Sequence, residues 1–261
     1  LYAAKTMRSG VKDICTNMVP QSICIAEDYL LIGAYCKTGT HYSVIYVLDK
    51  DTNEYIKTII LPARYHVGGL AYDRVNKRLW VSAHKKRAQV NSISYYRLMM
   101  YNYDWYKKPI SFDSVNDLYS IPRNSFLAYY NSSLYIGYFQ VKDRSVLQKF
   151  DIDNSTGELI KVNSSKYQES YGGKLPPTVV MPVNVSIINS KAQGVAFSKY
   201  RMFVTESYGV TESKLATFSI LTDDVENQVY TNDNAISVIE LPQKLEQVTV
   251  DGDDMYSIYE S

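Results

Sequence analysis

The sequence feature that most constrains the fold is a dipeptide of an apolar residue and proline that recurs along the chain. It occurs at Val19-Pro20, Leu61-Pro62, Ile121-Pro122, Met181-Pro182 and Leu241-Pro242. The last four pairs follow one another at a constant spacing of 60 residues. Self-similarity at a fixed period indicates a repeat architecture. The repetition says more about the shape of the protein than about its chemistry.

Each proline is followed by the same succession of segments. Two small or polar residues and a short apolar run come first, and a second apolar run follows about ten residues later. The first runs are residues 21–25, 68–72, 124–128, 193–197 and 246–250, and the second runs are residues 29–34, 79–83, 134–138, 202–205 and 255–259. Polar links such as Asn131-Ser132-Ser133 join them. Two such runs around a turn predict a β-hairpin.

Third and fourth runs complete four of the repeats. In the first repeat they are residues 43–48 and 55–61, and in the second residues 95–103 with a less distinct partner ending near Pro122. In the third they are residues 146–152 and 158–162, and in the fourth residues 214–221 and 235–241. The links at residues 49–54 and 153–157 are rich in Asp, Asn and Thr, whose side chains favour turns. Four antiparallel strands per repeat, arranged around a ring, predict an all-β fold of the β-propeller type.

The repeat count predicts one domain over residues 1–261 with five four-stranded blades. Their approximate ranges are residues 21–62, 63–122, 123–182, 183–242 and 243–261. The last repeat ends after two strands, so we expect the N-terminal residues 1–20 to complete it. Residues 11–19 would form its outer strand and thereby protect the edges of the ring. Either residues 1–6 supply its third strand or that blade is short.

Composition limits the classes of function. The chain has 28 Lys and Arg and 27 Asp and Glu, a formal net charge of +1, which argues against general binding to nucleic acid or a charged membrane surface. It contains no run of 18 apolar residues, so no transmembrane helix is predicted. Tyrosine is unusually frequent, at 25 residues. Most tyrosines are expected between blades, and the others on a binding surface.

The first residue and the cysteines bear on cellular location. Because the chain starts at Leu1 rather than Met, we expect a mature product without its secretion signal, in a secreted or cell-envelope protein. Cys24 is expected to be a free, buried thiol in an innermost strand. Cys15 with Cys36 is the one disulfide pairing that we consider. The spacing of the cysteines matches no zinc motif, and no metal ligand is predicted.

Propeller geometry places the candidate site at one face, where the loops entering first strands and leaving second strands lie together. All three histidines, His41, His66 and His84, belong to these loops. The innermost positions at the mouth of the funnel are predicted to be Gln21, Gly68, Asn124, Gln193 and Glu246. The predicted ligand-binding residues are Gln21, Tyr35, His41, His84, Asn124, Tyr138, Gln193 and Glu206.

Three interpretations of this face are open. The histidines with Glu206, Glu246 or Glu260 would make a metal site, although nothing in the sequence orders them as ligands. His66 and Glu246 are the candidate catalytic pair for acid–base chemistry. In the interpretation that we favour, His66 and His84 hydrogen-bond to backbone around the funnel.

Two stretches resemble the propellers of the NHL-repeat and quinoprotein-like group. Residues 44–49 with 55–58 look like the outer hairpin of such blades, and residues 68–73 with 78–82 look like the inner pair. The resemblance covers nearly the whole chain. Members of this group range from binding scaffolds to calcium-dependent lactonases and lyases. The lactonase type holds its metal with acidic and Asn residues around the funnel, where Glu246 and Asn124 stand here. Ca²⁺ is therefore the cofactor that the resemblance implies.

Together these features predict an exported binding module whose ligand, a glycan or a peptide, meets the His- and Tyr-rich face. The alternative is a hydrolase or lyase, metal-dependent in one version, centred on His66, Asn124 and Glu246. A third interpretation is a structural domain of a larger envelope protein. No nucleic-acid partner is expected, and the sequence leaves the oligomeric state open.

Overall fold

The computed structural model describes residues 3–220 and 228–260. Apart from short helices, these residues form mainly antiparallel β-sheets, as the repeats predict. Within them, no helix combines the length and the apolar composition needed to cross a membrane. Leu221, which the sequence places at the end of a strand, lies outside the described residues, as do Leu1 and Ser261.

The N-terminal residues form a hairpin of β1 (Ala4–Arg8) and β2 (Val11–Cys15). The first blade then consists of β3 (Met18–Ala26), β4 (Tyr29–Cys36), β5 (Val44–Asp49) and β6 (Tyr55–Ile60). The second blade consists of β7 (Leu70–Asp73), β8 (Arg78–His84), β9 (Ala88–Ser94) and β10 (Ser114–Asp117), with α1 (Tyr95–Met100) and α2 (Tyr103–Tyr106) between β9 and β10. In both blades the strands pair in chain order.

The third blade carries an insertion. It contains β11 (Phe126–Tyr130), β12 (Ser133–Tyr138), β13 (Ser145–Asp153), the short β14 (Glu158–Leu159), an inserted hairpin of β15 (Lys161–Asn163) and β16 (Thr178–Val180), and the outer strand β17 (Asn184–Ile188). The remaining strands are β18 (Ala192–Ser198), β19 (Arg201–Glu206), β20 (Ser213–Ser219), β21 (Val229–Tyr230), β22 (Ser237–Leu241), β23 (Leu245–Asp251) and β24 (Asp254–Tyr259). The fourth blade is β18-β19-β20-β22, and β21 pairs with β17.

The innermost strands surround a common axis. β7 contacts β3 and β11, β18 contacts β11, and β23 contacts both β18 and β3. Four sheets have at least the expected four strands, whereas β23 and β24 form a sheet of two. The predicted count of five complete four-stranded blades is therefore not confirmed, because only four blades are complete in the described part of the chain.

The apolar core consists of layers between adjacent blades. Trp80, which is 0% exposed, packs with Leu127 and Phe150 between the second and third blades. Phe126 and Phe218 belong to the layer between the third and fourth blades. Burial of apolar surface between blades therefore holds the ring together.

The prediction that residues 11–19 form the outer strand of the last blade is wrong. β2 pairs with β1 over its whole length, and β3 already begins at Met18. Ser9 and Gly10 have φ angles of 49° and 82°, which suits a tight two-residue hairpin turn. Ala4 is fully buried against the first blade. Docking of this hairpin on the first blade therefore replaces pairing with β24.

Two predicted outer segments also lie elsewhere. Residues 95–103 are not the third strand of the second blade, because the Ser94 side chain accepts a hydrogen bond from the backbone N–H of Arg97 and begins α1. In the third blade, β14 pairs over two residues only, and the outer strand is β17. The boundary predicted at residue 182 therefore moves to the end of β17, beyond the inserted hairpin.

The side chain of Gln247 lies at the axis and connects three blades. Its Oε1 accepts hydrogen bonds from the backbone N–H groups of Ile23 (3.2 Å) and Leu70 (3.3 Å). Its Nε2 donates to the carbonyls of Leu70 (3.0 Å) and Leu127 (2.9 Å). β3, β7 and β11 are edge strands of their sheets, and edge strands present unpaired backbone groups. Gln247, at 2% exposure, satisfies four of these groups.

Candidate functional site

A pocket of about 460 Å³ opens at the funnel. The predicted site residues that line it are Gln21, Tyr35, His66, His84, Asn124, Gln193 and Glu246. Gly68, Arg123, Ser125, Phe139 and Glu260 complete the lining. The structure thus brings most of the predicted residues to one place, and their function stays a prediction.

A β-bulge in each of three blades places a polar residue at the funnel. The strand pairings shift between Pro20 and Ser22, between Ala192 and Gly194, and between Leu245 and Val248. The residues inside these shifts are Gln21, Gln193, and Glu246 with Gln247. A bulge changes the direction of a side chain on an otherwise regular strand. It therefore lets Glu246 line the pocket while the adjacent Gln247 reaches the axis.

Between the second and third blades, the funnel depends on a close approach of backbones. Val67 has a φ of 56°, and a Cβ on the following Gly68 would overlap the backbone oxygen of Ser125. Glycine at this position therefore permits the segment before β7 to contact the segment before β11.

Glu246 has a strongly perturbed pKa. It is 8% exposed, and burial together with the charge of Glu260 raises its pKa to about 8. Burial, Glu260 and Glu246 also raise the pKa of the Tyr35 hydroxyl. A carboxyl group that is protonated near neutral pH can donate a hydrogen bond or a proton.

His66 packs against Tyr35, with 4.6 Å between the ring centroids and 50° between the ring planes. The residue keeps access to solvent at the funnel mouth, but the surrounding wall desolvates the ring and lowers its pKa. Glu260 opposes this effect, and Arg123 adds to it. Over the described residues, no hydrogen bond joins His66 to Glu246, and neither His66 nor His84 bonds to backbone. The expected backbone bonds are therefore absent there, and the acid–base pair is not preassembled.

Amide side chains supply further polar groups. Gln21 donates from Nε2 to the carbonyl of Pro20 at 3.0 Å, and Asn124 donates from Nδ2 to the carbonyl of Gln89 at 3.0 Å. The Oδ1 atom of Asn124 is buried and has no hydrogen-bond partner in the described part of the chain. Each amide is thus held in place by one bond and keeps capacity for another.

Three predicted ligand-binding residues do not line the pocket. Tyr138 packs against the core layer between the second and third blades, and its neighbour Phe139 lines the pocket instead. Successive side chains of a strand point to opposite sides, so at the end of β12 Phe139 faces the pocket when Tyr138 faces the core. Glu206 accepts a hydrogen bond from Asn189 Nδ2 at 2.6 Å, and burial raises its pKa. His41 belongs to a separate cluster.

This second cluster lies where the N-terminal hairpin meets the first blade. Cys36 Sγ is 3.4 Å from Cys15 Sγ and 3.3 Å from His41 Nδ1. The three-histidine metal site is therefore not assembled, because His41 lies with the cysteines. Cys15 and Cys36 are neighbouring free thiols rather than a disulfide. Cys24 is free and buried in β3, as predicted.

Hydrogen bonding distinguishes the two neighbouring thiols. Burial acts to raise the pKa of Cys36, but hydrogen bonds to Thr38 and His41 outweigh it and lower the pKa to about 5. Burial is the main cause that raises the pKa of Cys15 to about 11. The sequence pointed to Cys15 and Cys36 only as a candidate disulfide, and it gave no sign that His41 joins them.

Comparison with known proteins supports the architecture. No protein-family model and no curated protein sequence matches the chain. Among solved structures, the crystal structure of the RRP9 WD40 repeats matches with a TM-score of 0.50 and 9% identity, over 92% of this chain and 73% of that chain. This chain is a β-propeller.

A second structural match adds no functional information. The structure of the Dos1 propeller matches with a TM-score of 0.43 and 10% identity, over 95% of this propeller, which spans 53% of that chain. In all, 490 solved chains match. At 9% identity, the likeness to the RRP9 structure shows the fold alone. The specific resemblance to the NHL-repeat and quinoprotein-like group is not confirmed.

Proposed function

We propose that this propeller is an interaction module whose funnel pocket binds a basic side chain of a peptide partner. The observation that carries the proposal is the presence of Glu246 and Glu260 in one pocket of about 460 Å³ with the aromatic residues Tyr35 and Phe139. The propeller fold is compatible with an interaction role, because its connecting loops lie together at one face.

Two carboxyl groups in one pocket favour a positively charged ligand. Burial and the charge of Glu260 keep Glu246 protonated at neutral pH. A Lys or Arg side chain placed between them would favour ionisation of Glu246, since an opposite charge stabilises the carboxylate form. Tyr35 and Phe139 line the same space, and the faces of aromatic rings attract cations.

The distribution of charge favours a peptide over a neutral glycan. Arg123 is an exposed residue of the pocket lining. Carboxyl groups together with an exposed arginine match a peptide that offers a basic side chain to Glu246 and Glu260. The same peptide would offer carbonyl or carboxylate oxygens to Arg123. Gln21 and Gln193 provide amide groups that suit a peptide backbone.

Peptide selection tests this proposal. A displayed random-peptide library is panned at neutral pH on the wild-type protein, and binding of the selected peptides is measured. We expect enrichment of Lys or Arg, and an affinity at least about 10-fold lower for the Glu246→Gln/Glu260→Gln double variant, because charge-assisted bonds are lost. The matched control, Glu169→Gln/Glu212→Gln, removes two exposed charges elsewhere and should bind like the wild type.

Calorimetry of the same peptides provides a second measurement. Because the pKa of Glu246 is about 8, binding of a cation at neutral pH should release up to one proton. The observed heat should therefore depend on the ionisation enthalpy of the buffer. Selected peptides without basic residues, or equal affinity for the double variant, would contradict the proposal. Binding of a glycan that depends on both carboxyl groups would show that the ligand is a sugar and not a peptide.

A second candidate function, hydrolase or lyase chemistry, is favoured by the same pKa of Glu246. A carboxyl group with a pKa of about 8 is suited to donate a proton near neutral pH, and His66 and Asn124 line the same pocket. In this case Glu246→Gln should abolish turnover of a substrate found by screening. A requirement for Ca²⁺ and an extracytoplasmic location stay predictions.

A further inference from the structure

We propose that Cys15, Cys36 and His41 form a zinc site that links the N-terminal hairpin to the first blade. The three residues come from the end of β2, the end of β4 and the loop between β4 and β5. Their ligand atoms all lie within 4.8 Å of one another. None of the three lines the funnel pocket, so the proposal is independent of the proposed function.

Two of the three distances between the ligand atoms are close to those around a single zinc ion, and the third is at most 4.8 Å. Cys36 Sγ lies 3.4 Å from Cys15 Sγ and 3.3 Å from His41 Nδ1. In a tetrahedral site with Zn–S bonds of about 2.3 Å and Zn–N bonds of about 2.0 Å, ligand atoms are roughly 3.5 to 3.8 Å apart. Small shifts of these side chains would therefore admit the ion. Thiolate and imidazole are ligand types that zinc prefers.

Asp13 supplies the partner expected of a metal-bound histidine. His41 Nε2 lies 3.1 Å from Asp13 Oδ2. Its Nδ1 lies 3.3 Å from the sulfur of Cys36 and 2.9 Å from the Thr40 hydroxyl, which the ion would displace. A histidine that binds a metal commonly donates its second ring N–H to a carboxylate, which fixes its tautomer and orientation. A histidine oriented in this way is a feature of a metal site and is not required for a disulfide. Thr38 Oγ1, 3.0 Å from Cys36 Sγ, can donate to the coordinated sulfur.

Burial at the cluster is consistent with a metal that stabilises the fold. Cys15 and Cys36 are 1% and 3% exposed, whereas the side chains of His41 and Asp13 are 12% and 41% exposed. The sulfurs are thus shielded, and with three protein ligands a water molecule would complete the tetrahedron around the ion. β1 and β2 form a sheet of their own, so an ion would add a direct link to β4.

Coordination needs no redox partner. Zn²⁺ would form two Zn–S bonds and one Zn–N bond, any thiol protons would pass to solvent, and no oxidation state would change. Because the ligands lie on the hairpin and on the first blade, the free energy of binding would stabilise the docked hairpin.

Metal analysis of the full chain, purified under reducing conditions, tests the site. After incubation with Zn²⁺ and removal of excess metal, we expect about one zinc ion per chain. With Co²⁺ we expect a sulfur-to-cobalt charge-transfer band. Zinc should raise Tm by about 5 to 10 °C over the chelated protein, and protect the N-terminal hairpin from proteolysis.

Variants of the cluster assign the ligands. Cys36→Ser and His41→Ala should each weaken zinc binding by at least about 10-fold and abolish the Tm shift. Asp13→Asn keeps all three ligands and is expected to weaken zinc binding by about 10-fold. It therefore tests the site even if the ligand variants fail to fold. Cys24→Ala changes a buried thiol outside the cluster and should keep the full metal content.

Several results would overturn the proposal. These are a zinc content far below one per chain in the reduced wild type, unchanged zinc affinity in His41→Ala, and the absence of a charge-transfer band with Co²⁺. A Cys15–Cys36 disulfide that forms in the presence of zinc would also overturn it. Thiol alkylation followed by mass spectrometry detects that disulfide.

Discussion

Replacing Gln247 by alanine is expected to destabilise the protein by about 3 to 5 kcal/mol, a large share of the stability of a typical domain. The substitution removes the hydrogen bonds to Ile23, Leu70 and Leu127 at the axis. A buried backbone group left without a partner costs about 1 to 3 kcal/mol. Water that enters the vacated space would offset part of the total. Denaturant unfolding measures the difference.

Two further variants separate hydrogen bonding from volume. Gln247→Met keeps a similar volume but cannot satisfy the backbone groups, so we expect it to lose nearly as much stability as Gln247→Ala. Gln243→Ala changes an exposed glutamine nearby and should stay within about 0.5 kcal/mol of the wild type. A Gln247→Met protein as stable as the wild type would show that packing alone holds the axis.

Glu246→Gln is expected to remove a marked pH dependence of stability. Burial and Glu260 raise the pKa of Glu246 from 4.5 to about 8, so the folded protein holds a proton that the unfolded chain releases. The stability contributed by this proton is fully present below about pH 4.5 and is lost as the pH rises through about 8. That span corresponds to at most about 5 kcal/mol. Allowing for relaxation around the ionised group, we expect Glu246→Gln to be about 2 to 4 kcal/mol more stable than the wild type above pH 8.

Urea unfolding across the pH range checks this expectation. In Glu260→Gln the loss of stability should end at a lower pH and be smaller than in the wild type, because the variant lacks the neighbouring charge that helps to raise the pKa of Glu246. Glu212→Gln removes an exposed charge outside the pocket and should leave the curve unchanged. Parallel curves for the wild type and Glu246→Gln would contradict a protonated, buried Glu246.

The inner strands could be predicted from the sequence because they are short apolar runs bounded by turn residues. β4, β8, β12, β19 and β24 all begin within one residue of the predicted second runs. Outer strands carry a weaker signal, since their apolar residues are partly exposed, as in β22. The helix α1 begins at the cap that Ser94 provides, and the hairpin of β15 and β16 is an insertion into the third blade. Neither element recurs in the other repeats, so the repeat pattern could not predict them.

The site could be predicted in position but not in detail. Alignment of the repeats located Gln21, Gln193 and Glu246 at the funnel, but bulges decide where their side chains point. Glu246 and Gln247 are neighbours with different surroundings, and only the register shift of β23 separates their roles. The cluster of Cys15 with Cys36 depends on how the N-terminal hairpin docks. The sequence suggested Cys15 and Cys36 only as a candidate disulfide, and it placed His41 at the funnel instead of beside them.

Gln247 also determines how molecules can travel through the ring. A second pocket, of about 340 Å³, is lined by Gln247, Leu70 and Leu127 and is separate from the funnel pocket. Because the amide of Gln247 joins three blades at the axis, we expect it to block the passage of solutes between these two pockets of the described chain. A ligand that enters the funnel must leave by the same mouth, so its residence time depends on the loops there. The opposite end of the ring is free to acquire a different role.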